Sequence, residues 1–260
     1  MSGRVGTVYL VGAGPGAPDL LTMRAARLLG EAGIVFHDAL VHPATLALAA
    51  RAEKIAVGKR CGRHSTVQQF INKRLIDAAR RHRVVVRLKG GDPMLFGRAQ
   101  EELDALSAAG IRCEVVPGVT AALAASAELG VSLTRRGVSR SVAFVTPRVG
   151  AGEKDNDWLR VALAAETVAL YMGAGEAGAI AAALIAAGKP AGTPVAVAES
   201  VSLEGSKVVA GELRDLAVLA EQRGSGPAIL LIGEVWGKIG ARARSALPHP
   251  QMRKIGTVPI

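Results

Sequence analysis

The stretch VYLVGAGPGAPDLLT, residues 8–22, decides how the chain is read. An apolar, β-prone run leads into glycines at 12, 14 and 16, and Ala17 completes the pattern G-x-G-x-x-G/A. An acid, Asp38, follows about 20 residues on, at the end of the next apolar run. These are the parts of a dinucleotide-binding turn. In such a turn the helix begins inside the glycine motif, so that free N–H groups meet the pyrophosphate. Pro15 and Pro18 remove two of those donors. Pro18 suits the first helical position, with Asp19 in the first turn, so a helix is predicted to start after the glycines. The loop is thus longer and stiffer than a dinucleotide turn. Its glycines still let another molecule approach the backbone closely. A tight strand–helix turn without a ligand is the other reading.

Outward from this loop, strand-like runs (Val8–Val11, Ile34–His37, Lys54–Val57, Val84–Leu88, Cys113–Val116) alternate with helical patterns (Leu20–Leu29, Gln68–Ala79, Glu101–Leu106). That alternation predicts βαβ units, an α/β fold and a mostly parallel sheet, with the functional loops at the carboxyl ends of strands. Pro117-Gly118 breaks the pattern before an Ala-rich helix over Val119–Leu129. The second half restarts with strands at Ser141–Val145, Thr167–Tyr171, Pro194–Ala198, Lys207–Ala210 and Ala228–Ile232, and helices at Glu176–Ala187 and Leu213–Ala220. Short turns between some of these strands predict a mixed sheet. The expected domains are 1–117 and 118–240, followed by a loose basic tail over 241–260.

Half of the 260 residues are hydrophobic and 3% are aromatic. No long uninterrupted apolar run predicts a membrane span, and the N-terminus has no secretory pattern. Two cysteines, Cys61 and Cys113, make no disulfide framework and suit a reducing cytoplasm. A net charge of +10 fits nucleic acid, a polyanionic small substrate, or plain solubility. The scarcity of aromatics opposes base-stacking platforms, so a nucleic-acid partner is not expected. His37, His42 and His64 have no metal-binding spacing, and no metal is expected.

Gly90-Gly91-Asp92-Pro93 follows a predicted strand. Two glycines bring the backbone close to a ligand, and Asp92 can accept hydrogen bonds from an amine or hydroxyl; a β-turn is the alternative. Asp38 in "IVFHDALV" closes the second strand, where an acid is either a general base or the cap of a turn.

Taken together, GAGPGAPDLLT (12–22), VVVRLKGGDPMLFGR (84–98), VVPGVTAA (115–122), LTRRG (133–137), LYMG (170–173), PVAVAES (194–200) and GPAILLIGEV (226–235) resemble the motifs of the tetrapyrrole methylases, in that family's order. The second matches its uroporphyrinogen-III C-methyltransferase branch. The resemblance runs from about residue 5 to 237. It implies two α/β domains with a ligand cleft between them, a homodimer, and a stand-alone enzyme without a fused dehydrogenase/ferrochelatase half. It implies transfer of two methyl groups from S-adenosylmethionine, leaving S-adenosylhomocysteine, to uroporphyrinogen III. The product, precorrin-2, leads to sirohaem or cobalamin. By the resemblance, Pro15, Gly90, Gly91, Asp92, Leu95, Thr120, Ala121, Met172, Val201 and Ala228 contact the cofactor. Asp38 matches the proton acceptor, and Lys59 in "VGKR" the proton donor. Met172 alone would be read as core.

A polycarboxylate substrate gives the basic charge a purpose, because Arg and Lys can clamp carboxylates. The candidates are Lys59, Arg60, Arg63, Lys89, Arg98, Arg135, Arg136 and Arg148. The chain departs from the family pattern at Ala39, Arg135, Thr146-Pro147-Arg148 and 97–102, which touches substrate contacts rather than cofactor loops. Rival readings are another precorrin methylase of the same fold, an NAD-dependent oxidoreductase, and a basic RNA-binding protein.

Overall fold

Val84–Lys89, buried at every position, is a strand that only a two-sided sheet accommodates. It is β4 of the first of two units in a computed structural model that describes residues 5–57, 64–150 and 156–241. That unit runs to Gly130 and takes in Arg148–Asn156 and Ser200–Leu203; the second holds Val131–Pro147, Asp157–Glu199 and the chain from Glu204.

In the first unit the chain order is β1 (Thr7–Gly12), α1 (Met23–Glu31), β2 (Ile34–His37), α2 (Pro43–Ala47), β3 (Glu53–Ala56), α3 (His64–Ala79), β4, α4 (Ala99–Ala108), β5 (Cys113–Val116) and α5 (Ala121–Leu129). The sheet is parallel throughout, in the order β3-β2-β4-β1-β5. Val11, Val86 and Leu88 pack with Ala25, Leu28 and Leu29 of α1 on one face. Leu10 and Val85 pack with Ile71 and Leu75 of α3 and Leu106 of α4 on the other. The chain leaves β1 toward β2 and leaves β4 toward β5, in opposite directions. These neighbouring strands therefore form the switch point of the sheet, where open α/β sheets bind ligands.

The prolines act as the sequence required, and further than expected. Pro18–Leu20 is a single 3₁₀ turn, and α1 begins only at Met23, capped by Thr22, whose hydroxyl accepts from Ala25 N–H (3.2 Å). The first unit also extends past residue 117, because Pro117-Gly118 is a packed turn: a Cβ on Gly12 would lie 2.6 Å from the Gly118 α-carbon. The tail expected over 241–260 lies outside the described residues apart from Ala241.

In the second unit β6 (Val142–Val145), α6 (Trp158–Ala164), β7 (Thr167–Leu170), α7 (Ala177–Ala186), β8 (Pro194–Glu199), β9 (Lys207–Glu212), α8 (Leu216–Glu221) and β10 (Ala228–Gly233) form a sheet ordered β6-β7-β10-β8-β9. Only the β6–β7 pairing is parallel, so the sheet is mixed, as the short turns predict. Ala162, Ile180, Leu184, Leu216 and Leu219 bring α6, α7 and α8 onto one face, over Val168, Leu170, Val197 and Leu230.

Leu75 and Leu170 are fully buried in these two cores. Replacing either by alanine is expected to lower stability in urea by about 2–5 kcal/mol, through lost burial and an unfilled cavity. A loss below about 1 kcal/mol would contradict the packing described.

Candidate functional site at the carboxyl ends of the parallel strands

The loops that follow β1, β4 and β5 are fastened to one another by backbone. Gly91 N–H donates to the Gly14 carbonyl (2.8 Å), and Gly14 N–H donates to that of Gly91 (3.2 Å). Ala13 N–H donates to the Lys89 carbonyl (2.7 Å). A Cβ on Gly118 would sit inside van der Waals contact of the Gly91 carbonyl oxygen. Asp92 closes the group: Oδ2 accepts from Gly118 N–H (2.9 Å) and Oδ1 from Met94 N–H (2.8 Å). Both oxygens, read from the sequence as free to meet a ligand, thus first serve to hold the loops.

Pro15, Gly90, Gly91, Asp92, Thr120 and Ala121 are thereby brought together. A Cβ on Gly91 (φ +66°) would meet nothing nearer than Thr120 at 3.9 Å, and one on Gly90 nothing nearer than Leu40 at 3.5 Å. The bare backbone between these neighbours is room for a ligand to approach. Leu95 is half-buried beyond Asp92, whose carbonyl accepts from its N–H (3.3 Å). Val201 is buried in the same unit. Next to it, Ser202 N–H donates to Glu128 (2.7 Å) and Ser202 Oγ accepts from Ala17 N–H (3.0 Å), which pins the glycine loop from outside. Met172 and Ala228 are in the second unit, Met172 half-exposed after β7 and Ala228 at the start of β10, paired with Glu199.

Among the described residues the non-glycine positions with positive φ are Phe96, Arg98, Met172, Ser200 and Ser202. Each lies in or within two residues of a sequence motif that points to a ligand. Such conformations cost on the order of 1–3 kcal/mol each and persist where the surroundings enforce them, which is common at ligand sites.

Asp38 sits beyond β2, and its side chain does not cap the following turn. Its Oδ1 accepts from Arg87 Nη2 (2.5 Å). Arg87 and Lys89 share one face of β4, and both reach the fully buried Glu102 of α4: Arg87 Nε to Oε1 at 3.0 Å, Lys89 Nζ to both oxygens at 3.1 Å. Gln68 also donates to Oε1 (3.2 Å). Burial alone would lower the Arg87 guanidinium, but Asp38 and Glu102 together hold it above its ordinary value. Burial, with Arg87 beside it, pulls the Lys89 ammonium below its ordinary value, although Glu102 opposes this.

Lys89 is therefore corrected from a carboxylate clamp to the buried partner of Glu102. Arg98 is paired with Glu101 (2.6 and 2.8 Å), while Arg135 and Arg136 are exposed on a tight turn closed by Arg135 and Ser139. Arg148 is exposed. Lys59, Arg60 and Arg63 lie outside the described residues. Arg87 and Glu102 escaped sequence reasoning. Their signal is the pair of cations two residues apart inside an otherwise apolar strand, which period-two geometry puts on one face.

The loops 12–18 and 90–93 contain an acid and no cation, and their two leading prolines have no N–H. That donor set suits a cationic ligand with hydroxyls better than a pyrophosphate. Among the described residues no group of His, Cys, Asp and Glu could hold a metal ion, and no helix is long and apolar enough to cross a membrane.

The fold has counterparts among known proteins. The sequence profile of the Tetrapyrrole (Corrin/Porphyrin) Methylases matches residues 7–217. Siroheme synthase of Zymomonas mobilis is 46% identical over 233 residues, covering 89% of this chain and 49% of that protein. The chain thus spans about half the length of the curated relatives it matches. The crystal structure of a Thermus thermophilus uroporphyrin-III C-methyltransferase, complexed with S-adenosylhomocysteine, superposes with a TM-score of 0.77 at 40% identity, over 88% of this chain and 98% of the other. A cobalt precorrin-4 methyltransferase gives a TM-score of 0.78 at 26% identity, over 88% and 95%.

Two glycines provide a contrast. Gly118→Ala forces a methyl group against the Gly91 carbonyl and is expected to destabilise by about 1–3 kcal/mol. Gly30→Ala, within α1 and facing open space, should stabilise by about 0.5–1 kcal/mol. Urea unfolding of both variants checks the pair, and equal effects would contradict the packed turn.

Proposed function

Since the chain belongs to the tetrapyrrole methylase family, we propose that it is an S-adenosylmethionine-dependent C-methyltransferase that converts uroporphyrinogen III into precorrin-2. The observation that carries this is the family match over residues 7–217, falling on loops that offer an acid and bare backbone and no cation. The fold alone does not choose the substrate, since the uroporphyrin-III and precorrin-4 enzymes superpose equally well. The higher identity to the former favours uroporphyrinogen III.

The cofactor supplies a methyl group already activated on a sulfonium, and a nucleophilic pyrrole carbon of the substrate receives it. The chain's task is to hold the two in line at about 3–3.5 Å and to remove a proton from the ring. The Gly12–Ala17 and Gly90–Asp92 loops and the start of α5 hold the cofactor in this reading, with Leu95 and Val201 beside them. The roles of Met172 and Ala228 rest on the family resemblance. Asp38 accepts the proton. Its Oδ1 is occupied by Arg87, whereas Oδ2 has no partner among the described residues, and the side chain is 33% exposed. The same carboxylate offsets the positive charge that develops on the ring. Lys59 is the proposed proton donor. Arg98, Arg135, Arg136 and Arg148, with Lys59, Arg60 and Arg63, remain candidates for the substrate's carboxylates. A homodimer in the cytoplasm completes the proposal, supported by the family resemblance and the free thiol of Cys113.

Isothermal titration should show binding of S-adenosylhomocysteine and none of NAD; the reverse would overturn the cofactor assignment. Mass spectrometry of the product from uroporphyrinogen III should show two added methyl groups on ring carbons, with a monomethylated species at short times. Addition to carboxylates, or none, would overturn the reaction. Asp38→Ala should keep cofactor affinity and slow turnover by about 10²–10⁴-fold. Full turnover in that variant would remove Asp38 from the chemistry. Light scattering should give twice the mass of one chain, and a fully active monomer would contradict the dimer.

A further inference from the structure

We infer that Arg87 is the positioning residue for Asp38, and that the buried Glu102 is what orients Arg87. The inference rests on the reading of Asp38 as proton acceptor and adds the machinery that aims it.

Each nitrogen of the Arg87 guanidinium has its own acceptor. Nε donates to Glu102 Oε1 (3.0 Å), Nη1 to the Leu88 carbonyl (3.2 Å) and Nη2 to Asp38 Oδ1 (2.5 Å). The planar group is therefore fixed in rotation as well as position, which a single ion pair would not achieve. Glu102 is fixed in turn by Lys89 and Gln68. Arg87, Lys89 and Glu102 are almost wholly shielded from water, while Asp38 is 33% exposed, so Asp38 is where this network reaches the surface. Two cations and two carboxylates balance its formal charge. Glu102 is shared between Lys89 and the Arg87 Nε, which leaves Arg87 Nη2 for Asp38. The consequence for chemistry is a choice of oxygen. With Oδ1 bound to Arg87, Oδ2 is the atom presented outward, along a direction set by β4 rather than by the mobile side-chain torsions of an isolated Asp.

The test uses Arg87→Lys, which keeps the buried positive charge but cannot serve Glu102, Leu88 and Asp38 together. Arg87→Gln is the second variant, and Asp38→Asn supplies the reference. For Arg87→Lys the expected result is a kcat lower by about 10–100-fold, with the KM for both substrates and the affinity for S-adenosylhomocysteine unchanged. In the Asp38→Asn background the same substitution should change kcat by less than about threefold, because a residue acting through Asp38 has nothing left to position. An unchanged kcat in Arg87→Lys while Asp38→Asn is slow would overturn the inference and leave Asp38 as the base. So would additive losses in the double variant, which would mean that Arg87 acts elsewhere. A parallel loss of cofactor affinity and melting temperature would reduce Arg87 to a structural role. Full turnover in Asp38→Asn would instead reject the proton-acceptor reading itself, together with its positioning residue.

Discussion

The site depends on backbone meeting backbone where the loops after β1, β4 and β5 converge. Gly14 and Gly91 exchange hydrogen bonds, and Gly12 and Gly118 touch along their main chains. Side chains at 12 or 118 would prop these loops apart, so the sequence spends its glycines here. Everything else at the carboxyl edge of the sheet is referred to this contact: the placement of Asp92, the start of α5 beside Gly91, and the Ser202 hydroxyl on Ala17. Because the fastening is main-chain, the surface left open beside Gly90 and Gly91 is also main-chain. A small, flat, hydroxyl-bearing ligand can lie against it without meeting a cation.

Charge is managed separately, one layer down. Burying Arg87, Lys89 and Glu102 is unfavourable for each ion alone and is offset by their mutual contacts, by the hydrogen bonds from Arg87 to Asp38 and the Leu88 carbonyl, and by the one from Gln68. A hydrophobic trio of similar volume would stabilise this layer as well or better. The ions make sense as a way of delivering a directed guanidinium to the strand end where Asp38 sits. The two halves of the site then differ in kind, a neutral peptide surface on β1 and β4 and an electrostatically aimed carboxylate on β2.

Much of this was legible in the sequence. The parallel strands announce themselves as apolar runs, and Val84–Leu88 is found in the structure as Val84–Lys89. The two prolines counted against a dinucleotide turn because their effect is local and covalent. Gly90, Gly91 and Asp92 could be placed at a strand end for the same reason. What stayed hidden depends on distance in space. Lys89 reads as an available cation until Glu102, on the next helix, is seen to occupy it. Arg87 and Asp38 are far apart in the chain and meet only because β2 and β4 are neighbours in the sheet. The short helices α2 and α6 have too few turns to show a period, and the Pro117-Gly118 break reads as a boundary although the chain on both sides packs into one unit.

The segment Ser200–Leu203 belongs to the first unit although it is encoded between two strands of the second. Ser202 is bound to Ala17 and Glu128, and Leu203 packs against Gly16. On the ribosome, then, the glycine loop waits for a further 185 residues before its last partner emerges. The parallel sheet can form early, but its ligand loop is finished late. A nascent chain stalled before residue 200 would lack the clasp that Ser202 and Leu203 form on the glycine loop.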